Sequence, residues 1–273
     1  MENFSEFSGQ SSPNSSAVSE FYRKGYTRIK GLFNSAQVAD ILAAYSDFLK
    51  YDAPNLDGRD INFADAEKGI VNSIHALHYR PETYFSKLLN SDRLRQVAGA
   101  FLKDEAIGRA SEMFAKPPAK GLPSPAHQDN YYWCLKPVAP GTALTIWVAL
   151  DHCGFENGGV CYLENSHEIG LIEHEDSFAP GSSQTIRERQ KYLETFETVC
   201  LELEPGDALV HDAMTVHFSA ANTSARSRRG MTLQYTAKRA EVDQEMKRHY
   251  ETRLLEQVQA RALATQNNPS PTV

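Results

Sequence analysis

From residue 111 onward the chain consists of short runs with β-strand character, and proline or glycine residues separate them. The pattern predicts strands at Ser111–Ala115, Ala143–Leu150, Gly159–Leu163, Val199–Leu203, Ala208–His211 and Met231–Thr236. Turn signals such as Asn157-Gly158-Gly159 stand between these runs. Because no helical segments alternate with the strands, the pattern indicates a sandwich, jelly roll or barrel and disfavours a doubly wound parallel sheet.

Amphipathic helices are predicted on both sides of this β region. Asn34 is placed to cap a helix, with Gln37 three residues later, and apolar residues then recur at helical spacing through Leu49. A second helix is indicated over 94–102, and a C-terminal helix over about 240–264. The predicted fold class is therefore mainly β with flanking helices.

The 273 residues are enough for one large domain. Residues 1–17 are predicted to be a disordered leader, because serines with few apolar neighbours bury too little surface to offset the entropy of ordering. We expect a single domain over 18–264, with its β core at about 111–236. The polar residues 265–273 are predicted to be a flexible tail.

Charge and hydropathy exclude several classes of partner. The net charge is −7 and no dense block of lysine and arginine occurs, so we predict no binding to nucleic acid. The most apolar stretch, 143–150, is far shorter than the roughly 20 residues of a membrane helix. With no apolar signal segment near the N-terminus, the expected location is cytoplasmic. The four cysteines form no CxxC pair and are predicted to be reduced, buried thiols.

The segment His127-Gln128-Asp129 is the first candidate for a metal site. On a strand, residues two apart point to the same side, so an imidazole and a carboxylate can bind one ion together. Such pairs arise by chance in a chain with nine histidines and 35 acidic residues, and His174-Glu175-Asp176 is another. Aromatic residues follow His127, whereas acidic neighbours indicate a solvated surface around His174. The third ligand is His217 or His211, and the residues that follow His217 favour it.

Several short motifs in a fixed order carry a family resemblance. They are Glu20-Phe21-Tyr22-Arg23-Lys24-Gly25-Tyr26, Lys116-Pro117-Pro118, His127-Gln128-Asp129, Thr145-x-Trp147, Asn157-Gly158-Gly159, Ser166-His167 and His217-x-Ser219-x-x-Asn222-x-Ser224-x-x-x-Arg228. Together they resemble the phytanoyl-CoA dioxygenase family of iron(II)- and 2-oxoglutarate-dependent oxygenases, from about Phe21 to Thr236. One departure is Glu164-Asn165, where the family often has Pro-Gly before Ser-His.

The resemblance implies a double-stranded β-helix, a jelly roll of the cupin-like kind. It implies that His127, Asp129 and His217 form a facial triad for Fe(II), which leaves sites open for 2-oxoglutarate and O2. It also implies that Arg228 binds the far carboxylate of 2-oxoglutarate and that Ser219 adds a hydroxyl donor. Arg226 and Arg229 remain rivals of Arg228 for this role.

Other candidate residues surround this predicted site. Thr145 and Trp147 share one strand face and are predicted to line the barrel beside the cosubstrate, although Thr145 also fits ordinary core packing. Lys116 matches a family position near the cosubstrate, but a solvated lysine beside two prolines is the alternative. The candidates for binding substrate are Tyr131, Tyr132, Trp133 and His75.

The sequence therefore predicts an enzyme that hydroxylates or otherwise oxidises a small organic molecule, while 2-oxoglutarate and O2 become succinate and CO2. One alternative is a cupin-like isomerase or hydrolase that uses its metal as a Lewis acid without 2-oxoglutarate. Another is a binding module that retains the fold without catalysis. The expected partner is a small-molecule substrate, with no nucleic acid and no membrane, and the sequence specifies no oligomeric state.

Overall fold

The computed structural model describes residues 13–177, 179 and 183–267. Of the predicted leader, residues 1–12 lie outside this range, as do residues 268–273 of the predicted tail. Within the range, order begins before the predicted boundary at Val18, because Asn14 caps a helix that starts at Ser15. At the other end, residues 265–267 continue the last helix and do not belong to a tail.

The described residues form α-helices that lie before, between and after the strands. They are α1 Ser15–Lys24, α2 Ser35–Tyr51, α3 Tyr84–Leu89, α4 Asp92–Leu102, α5 Asp129–Trp133, α6 Arg189–Thr195 and α7 Gln244–Asn267. The predicted cap of α2 is confirmed, since the side chains of Asn34 and Gln37 each accept a hydrogen bond from the other residue's backbone. The C-terminal helix starts four residues later than the predicted 240, after a short strand.

The strands are short, as predicted, apart from two long ones. They are β1 Tyr26–Ile29, β2 Ile61–Asp65, β3 Ile70–Ile74, β4 Ala106–Lys116, β5 Ser124–His127, β6 Leu135–Lys136, β7 Ala143–Ala149, β8 Val160–Leu163, β9 His174–Asp176, β10 Gln184–Ile186, β11 Thr198–Cys200, β12 Ala208–Asp212, β13 His217–Ser219, β14 Arg228–Ala237 and β15 Glu241–Val242. Each of the six predicted strands overlaps one of these.

Two antiparallel sheets organise the domain. The major sheet has the strand order β1-β12-β7-β14-β4-β3-β2, and the minor sheet has the order β11-β8-β13-β5. The major sheet therefore takes in strands from outside the predicted core at 111–236, because β1, β2 and β3 precede it in the chain. Apart from the hairpin of β2 and β3, neighbouring strands in both sheets are far apart in sequence, which explains why local pattern does not specify the strand order.

The largest apolar core lies between the major sheet and helices α1 to α4. It includes Phe21, Ile41, Phe101, Ile146 and Leu233, all of which are buried. A smaller apolar cluster fills the space between the two sheets, with Trp147 and Leu209 from the major sheet and Tyr162 from the minor sheet. The helices thus cover one face of the major sheet, and its other face is turned towards the minor sheet. This confirms the predicted fold class of mainly β with flanking helices.

The cysteines depart from the sequence prediction. Cys161 of β8 and Cys200 of β11 form a disulfide, because they are directly paired on adjacent antiparallel strands with their Cα atoms 4.2 Å apart. Spacing along the chain gives no sign of this pair, which is 39 residues apart. Cys134 and Cys153 are free and buried, as predicted.

No helix in the described part of the chain combines the length and the apolar character that crossing a membrane requires.

Candidate metal centre and cosubstrate pocket

The three residues of the predicted triad converge beside the paired strands β5 and β13 of the minor sheet. His127 ends β5 and His217 begins β13, and the register of these paired strands sets the two residues opposite each other. The Asp129 Oδ1 atom lies 3.7 Å from His127 Nε2 and 3.6 Å from His217 Nε2. The ligand atoms all lie within 4.8 Å of one another, which is close enough to share one ion.

The two imidazoles are oriented for metal binding by backbone carbonyl groups. His127 Nδ1 lies 2.7 Å from the carbonyl oxygen of Pro125, and His217 Nδ1 lies 3.0 Å from that of Thr215. Because a carbonyl oxygen only accepts, each Nδ1 carries the proton and donates it. Each Nε2 is then unprotonated, and its lone pair faces Asp129. This is the arrangement by which proteins fix the tautomer of a metal-binding histidine.

Asp129 is held by donors on the side away from the two imidazoles. Its Oδ2 atom accepts a hydrogen bond of 2.7 Å from Thr145 Oγ1 and one of 3.3 Å from His211 Nε2. The Tyr162 hydroxyl lies 2.9 Å from His211 Nδ1 and so supports the tautomer in which Nε2 donates. Burial disfavours the Asp129 charge, but His217 and His211 outweigh it and hold its pKa well below the usual range.

This donor set fits a ferrous ion. Two neutral imidazoles and one carboxylate on one side of an ion form the facial arrangement typical of non-haem iron oxygenases. The other side opens on a cavity of about 430 Å³ that all three side chains line. His211, the rival third ligand, supports Asp129 instead, so the choice of His217 agrees with the geometry. Asp129 starts helix α5 and does not lie on a strand as expected, so the chain turns between the two ligands.

We expect the metal affinity of this triad to stay nearly constant between about pH 8 and about pH 6. Burial first, and then a neighbouring histidine, lower the pKa of His127 and His217 to about 4. An imidazole must be neutral to bind a metal, so protons compete only as the pH falls towards that value. Calorimetric titration with Mn(II) across this range would measure the affinity. A loss of tenfold or more by about pH 6 would indicate ordinary histidines with a pKa of about 6.5.

Arg228 is a buried cation at the base of the same cavity. Its side chain is 1% exposed, and its Nη1 donates to the carbonyl oxygen of Phe114 at 3.2 Å. Within the part of the chain that the structure describes, its Nε has no hydrogen-bond partner and it forms no ion pair with a carboxylate. Burial lowers its pKa to about 10, which still leaves it charged at neutral pH. An unpaired buried guanidinium is suited to hold the carboxylate of a bound molecule.

The two rival arginines are already paired at the surface. Arg226 Nη2 lies 2.6 Å from Glu156 Oε1, and both side chains are exposed. Arg229 forms two hydrogen bonds with Asp151, at 2.9 Å from Nε and 2.7 Å from Nη2. Neither lines the cavity. Of the three candidates, the structure therefore favours Arg228 for the carboxylate.

Lys116 and Ser219 lie beside Arg228. Strand register sets Lys116 opposite Arg228, and its Nζ donates to Ser219 Oγ and to the carbonyl oxygen of Ala220, each at 2.6 Å. Burial, with the charge of Arg228, lowers the pKa of Lys116 to about 6. Ser219 lines the cavity and Lys116 does not, so Lys116 supports Ser219 from behind and is not a solvated lysine. With its oxygen accepting from Lys116, Ser219 has its own proton free to donate into the cavity.

Most of the other predicted residues line the cavity, with one exception. Trp147, Tyr132, Trp133 and His75 are all on its wall, and so is Thr145, although the Thr145 hydroxyl is committed to Asp129. The exception is Tyr131, which is not among the residues that line the cavity. Its ring stacks on His174 at 4.0 Å and lies outside the cavity, because the helical turn of α5 sends adjacent side chains in different directions.

The expectation of a solvated surface at His174 is wrong. His174 is 1% exposed, and its Nε2 accepts a hydrogen bond of 3.1 Å from the backbone N–H of Gln128. Burial lowers its pKa to about 3, so it stays neutral. His174 therefore fixes the backbone between the two ligands His127 and Asp129. The acidic neighbours in the sequence concealed this role, because β9 turns Glu175 outwards.

Sequence reasoning missed other polar residues of the cavity. Arg109, Glu112 and Gln234 lie on its wall, from strands β4 and β14. The sequence held one signal for Glu112, since it is a charged residue within a predicted strand of otherwise apolar character. Glu112 Oε1 lies 3.2 Å from His75 Nδ1, so these two side chains form one unit on the cavity wall.

We expect Gly230→Ala to disturb the cosubstrate pocket and to lower the free energy of unfolding. A Cβ atom at residue 230 would lie 1.9 Å from Trp147 Cζ2, so the indole, which lines the cavity, must shift. Overpacking of this kind costs about 1–3 kcal/mol. Urea unfolding measures the loss, and Gly58→Ala is the matched control because a Cβ there meets nothing within 4 Å. Equal stability of the two variants would contradict the packing described for Trp147.

Comparison with known proteins agrees with this geometry. The chain is 26% identical over 224 residues to a probable α-ketoglutarate-dependent hypophosphite dioxygenase of Stutzerimonas stutzeri, covering 80% of this chain and 77% of that protein. α-Ketoglutarate is another name for 2-oxoglutarate.

Solved structures share the fold. The structure of EctD from S. alaskensis with 2-oxoglutarate and 5-hydroxyectoine has a TM-score of 0.67 at 23% identity, covering 82% of this chain and 76% of that one. The epimerase SnoN in complex with Fe3+, α-ketoglutarate and nogalamycin RO also has a TM-score of 0.67, at 20% identity, covering 83% and 84%. These similarities confirm the jelly-roll, double-stranded β-helix fold.

The family model described as phytanoyl-CoA dioxygenase matches residues 21–230. This range spans β1 to the start of β14 and holds the triad, Ser219 and Arg228, so the match covers these residues and most of the chain. The chain belongs to the phytanoyl-CoA dioxygenase family.

Proposed function

We propose that this protein is an Fe(II)- and 2-oxoglutarate-dependent dioxygenase that hydroxylates or otherwise oxidises a small organic molecule. The observation that carries the proposal is the unpaired, buried Arg228 in the same cavity as His127, Asp129 and His217. A metal site alone is compatible with many functions. A metal site beside a buried cation suits a ligand that binds the metal at one end and carries a negative charge at the other end. 2-Oxoglutarate, with a chelating keto acid at one end and a carboxylate at the other, is such a ligand.

Each residue has a defined task in this scheme. His127, Asp129 and His217 hold the ion, and Thr145 and His211 keep Asp129 turned towards it. Arg228 and Ser219 bind the far carboxylate of 2-oxoglutarate. The ring of Trp147 packs against the Arg228 guanidinium, with 5.4 Å between the ring and Arg228 Cζ. When bound, iron with 2-oxoglutarate and O2 supplies the oxidation, which yields succinate and CO2. The chain itself orients the cosubstrate and keeps the substrate in the cavity beside the ion.

The isomerase or hydrolase alternative lacks support. It retains the metal triad but gives Arg228 and Ser219 no function, and neither the family nor the solved structures favour it. A binding module without catalysis has no need for backbone carbonyls that orient two imidazoles. The finding that separates these functions is 2-oxoglutarate binding that depends on metal.

The substrate is expected to be a small molecule, since the cavity of about 430 Å³ lies in the usual range for such ligands. One similar protein is named for hypophosphite, and one solved structure of the same fold holds 5-hydroxyectoine. The test is succinate release by anaerobically iron-loaded protein that is then exposed to O2 with fractions of a metabolite extract. Oxygen-dependent mass shifts identify the substrate, and no succinate with any fraction would contradict the proposal.

A cytoplasmic location remains a prediction, and one observation opposes it. Disulfides are rare where thiols are kept reduced, and Cys161 and Cys200 are bonded. The free thiols are counted by alkylating the denatured protein at the moment of cell lysis and measuring its mass by mass spectrometry. Four alkylated cysteines support the cytoplasm, and two support an oxidising compartment.

A further inference from the structure

Arg109 enters the cavity because of a β-bulge in strand β4. Ala110 is paired with Gln234 and Gly108 with Tyr235 on β14, so Arg109 is an extra residue with no partner across the strands. The alternating positions Ala110, Glu112 and Phe114 line the cavity, as expected for one face of a strand. Arg109 lines it as well, although it would otherwise face the opposite side. Bulges beside active sites are known to redirect side chains in this way.

The guanidinium of Arg109 is held in position without a direct ion pair to a carboxylate. Its Cζ atom lies 5.0 Å from the ring of Trp133, a cation–π contact that positions it on the cavity wall. Within the described residues it forms no hydrogen bond and no ion pair, and its exposed side chain lines the cavity. The carboxylate on the same strand, Glu112, is engaged with His75 at 3.2 Å. Arg109 is therefore available to a ligand.

Arg109 is also distinguished by the balance of charge in a cavity that holds Fe(II) and 2-oxoglutarate. The two charges of a ferrous ion and the charge of Arg228 are cancelled by Asp129 and the two carboxylates of 2-oxoglutarate. Lys116 can add only positive charge. Glu112, the other carboxylate on the cavity wall, lies 3.2 Å from His75 Nδ1, and although burial lowers the pKa of His75, this contact outweighs it and raises the pKa above its ordinary value. Glu112 and Asp129 act on Arg109 only through space, and among the described residues no carboxylate lies within ion-pair distance of it. With cosubstrate bound to Arg228, Arg109 is the guanidinium of the cavity wall that is left without a contacting anion.

We propose that the substrate is an anion whose oxyanion group, a carboxylate or a phosphorus oxyanion, pairs with Arg109, while the rest of the molecule extends towards the metal. The inference rests on the proposed function and adds the substrate class to it. A guanidinium fork binds either group through two parallel hydrogen bonds, which would fix the orientation of the substrate as well as its affinity. Arg109 is thus the specificity-determining residue of the cavity.

The test uses intrinsic fluorescence, because the two tryptophans of this chain, Trp133 and Trp147, both line the cavity. Wild-type protein is loaded anaerobically with Fe(II) and saturating 2-oxoglutarate, and is then titrated with hexanoate, hexylphosphonate or neutral hexanamide. Arg109→Gln is compared with Arg59→Gln, a surface control whose guanidinium is paired with Asp57 outside the cavity. Saturating 2-oxoglutarate keeps the probes away from Arg228 and the metal.

We expect Arg109→Gln to weaken binding of at least one oxyanion by about 10- to 100-fold, and to leave hexanamide binding unchanged. The control variant should match wild type, and the tighter of the two anions identifies the preferred group. Arg109→Lys, which keeps the charge but loses the fork, should give an intermediate affinity. Equal binding of oxyanions by wild type and Arg109→Gln, or no oxyanion response in the wild-type complex, would overturn the inference.

The same samples separate this inference from the proposed function. Loading with 2-oxoglutarate precedes the anion titration and is followed by the charge-transfer absorption of the ferrous keto acid complex. If that complex does not form in wild type, the proposed function fails. If it forms in wild type and in Arg109→Gln but the anion titrations do not differ, the inference about Arg109 alone fails.

Discussion

Replacing Asp129 with alanine should abolish iron retention and turnover while the domain remains folded. The substitution removes the single anionic ligand and leaves Thr145 and His211 without their acceptor. Removing one partner of a buried charge pair costs about 3–5 kcal/mol. We therefore expect metal affinity to fall by roughly two to four orders of magnitude. Elemental analysis and calorimetric titration with Fe(II) under anaerobic conditions measure the loss.

Two further variants sharpen this result. Thr145→Val keeps the volume of the side chain but removes one hydrogen bond to Asp129, so it should weaken metal binding by about 10- to 100-fold, less than Asp129→Ala. Asp57→Ala removes a carboxylate at the surface and serves as the control. Wild-type iron affinity in Asp129→Ala would show that the ion is held elsewhere.

Arg228→Ala should weaken 2-oxoglutarate binding by about 100- to 1000-fold and leave iron binding close to that of wild type. The far carboxylate would then lie in a buried site without its cation, at a cost of about 3–5 kcal/mol. The effect should be mainly on the KM for 2-oxoglutarate, because Arg228 contacts the carboxylate in the ground state and the transition state alike. Succinate formation at varied 2-oxoglutarate gives both kcat and KM.

The controls for Arg228 are the neighbouring arginines. Arg226→Ala and Arg229→Ala break ion pairs with Glu156 and Asp151 outside the cavity, so neither should raise the KM tenfold. Arg228→Met fills the same space without charge and distinguishes loss of the guanidinium from a packing defect. Urea unfolding checks that these variants are folded. A near-normal KM in Arg228→Ala would refute its assignment, and a large effect at Arg229 would reassign the carboxylate.

Much of the fold follows from local sequence. The strand runs after residue 111 carry alternating or continuous apolar residues, so they indicate strands regardless of their partners. Asn34 and Gln37 cap a helix through contacts between residues three apart, and such contacts are readable from sequence. The three candidate metal ligands, which the structure brings together, also carry a sequence signal, because a short His-x-Asp segment and a distant His-x-Ser segment are specific when they occur together.

The sequence predictions differ from the structure where tertiary contacts determine the position of a side chain. His174 has acidic neighbours, but its strand buries it against the backbone of Gln128. Tyr131 follows the metal ligands, but it lies on a helical turn that directs it away from the cavity. The disulfide between Cys161 and Cys200 depends on which strands become neighbours in the minor sheet. None of these features has a signal at short range along the chain.

The position of Arg109 in the cavity also could not be predicted from local sequence. Strand alternation from Glu112 assigns residue 109 to the opposite face, and the bulge that reverses this arises from the pairing of β4 with β14. The residue that we propose selects the substrate is therefore visible in the structure and hidden in the sequence. The residues of the candidate metal triad lie in short motifs, whereas Arg109 enters the cavity through the pairing of β4 with β14.

The most direct test of the proposed chemistry is an anaerobic calorimetric titration of 2-oxoglutarate into wild-type protein, with and without one equivalent of Fe(II). We predict one binding site per chain that requires the metal, together with a visible charge-transfer absorption that is lost in His217→Ala. Binding of 2-oxoglutarate that is unaffected by iron, or no binding when iron is bound, would contradict a centre in which His127, Asp129 and His217 hold the ion and Arg228 holds the cosubstrate.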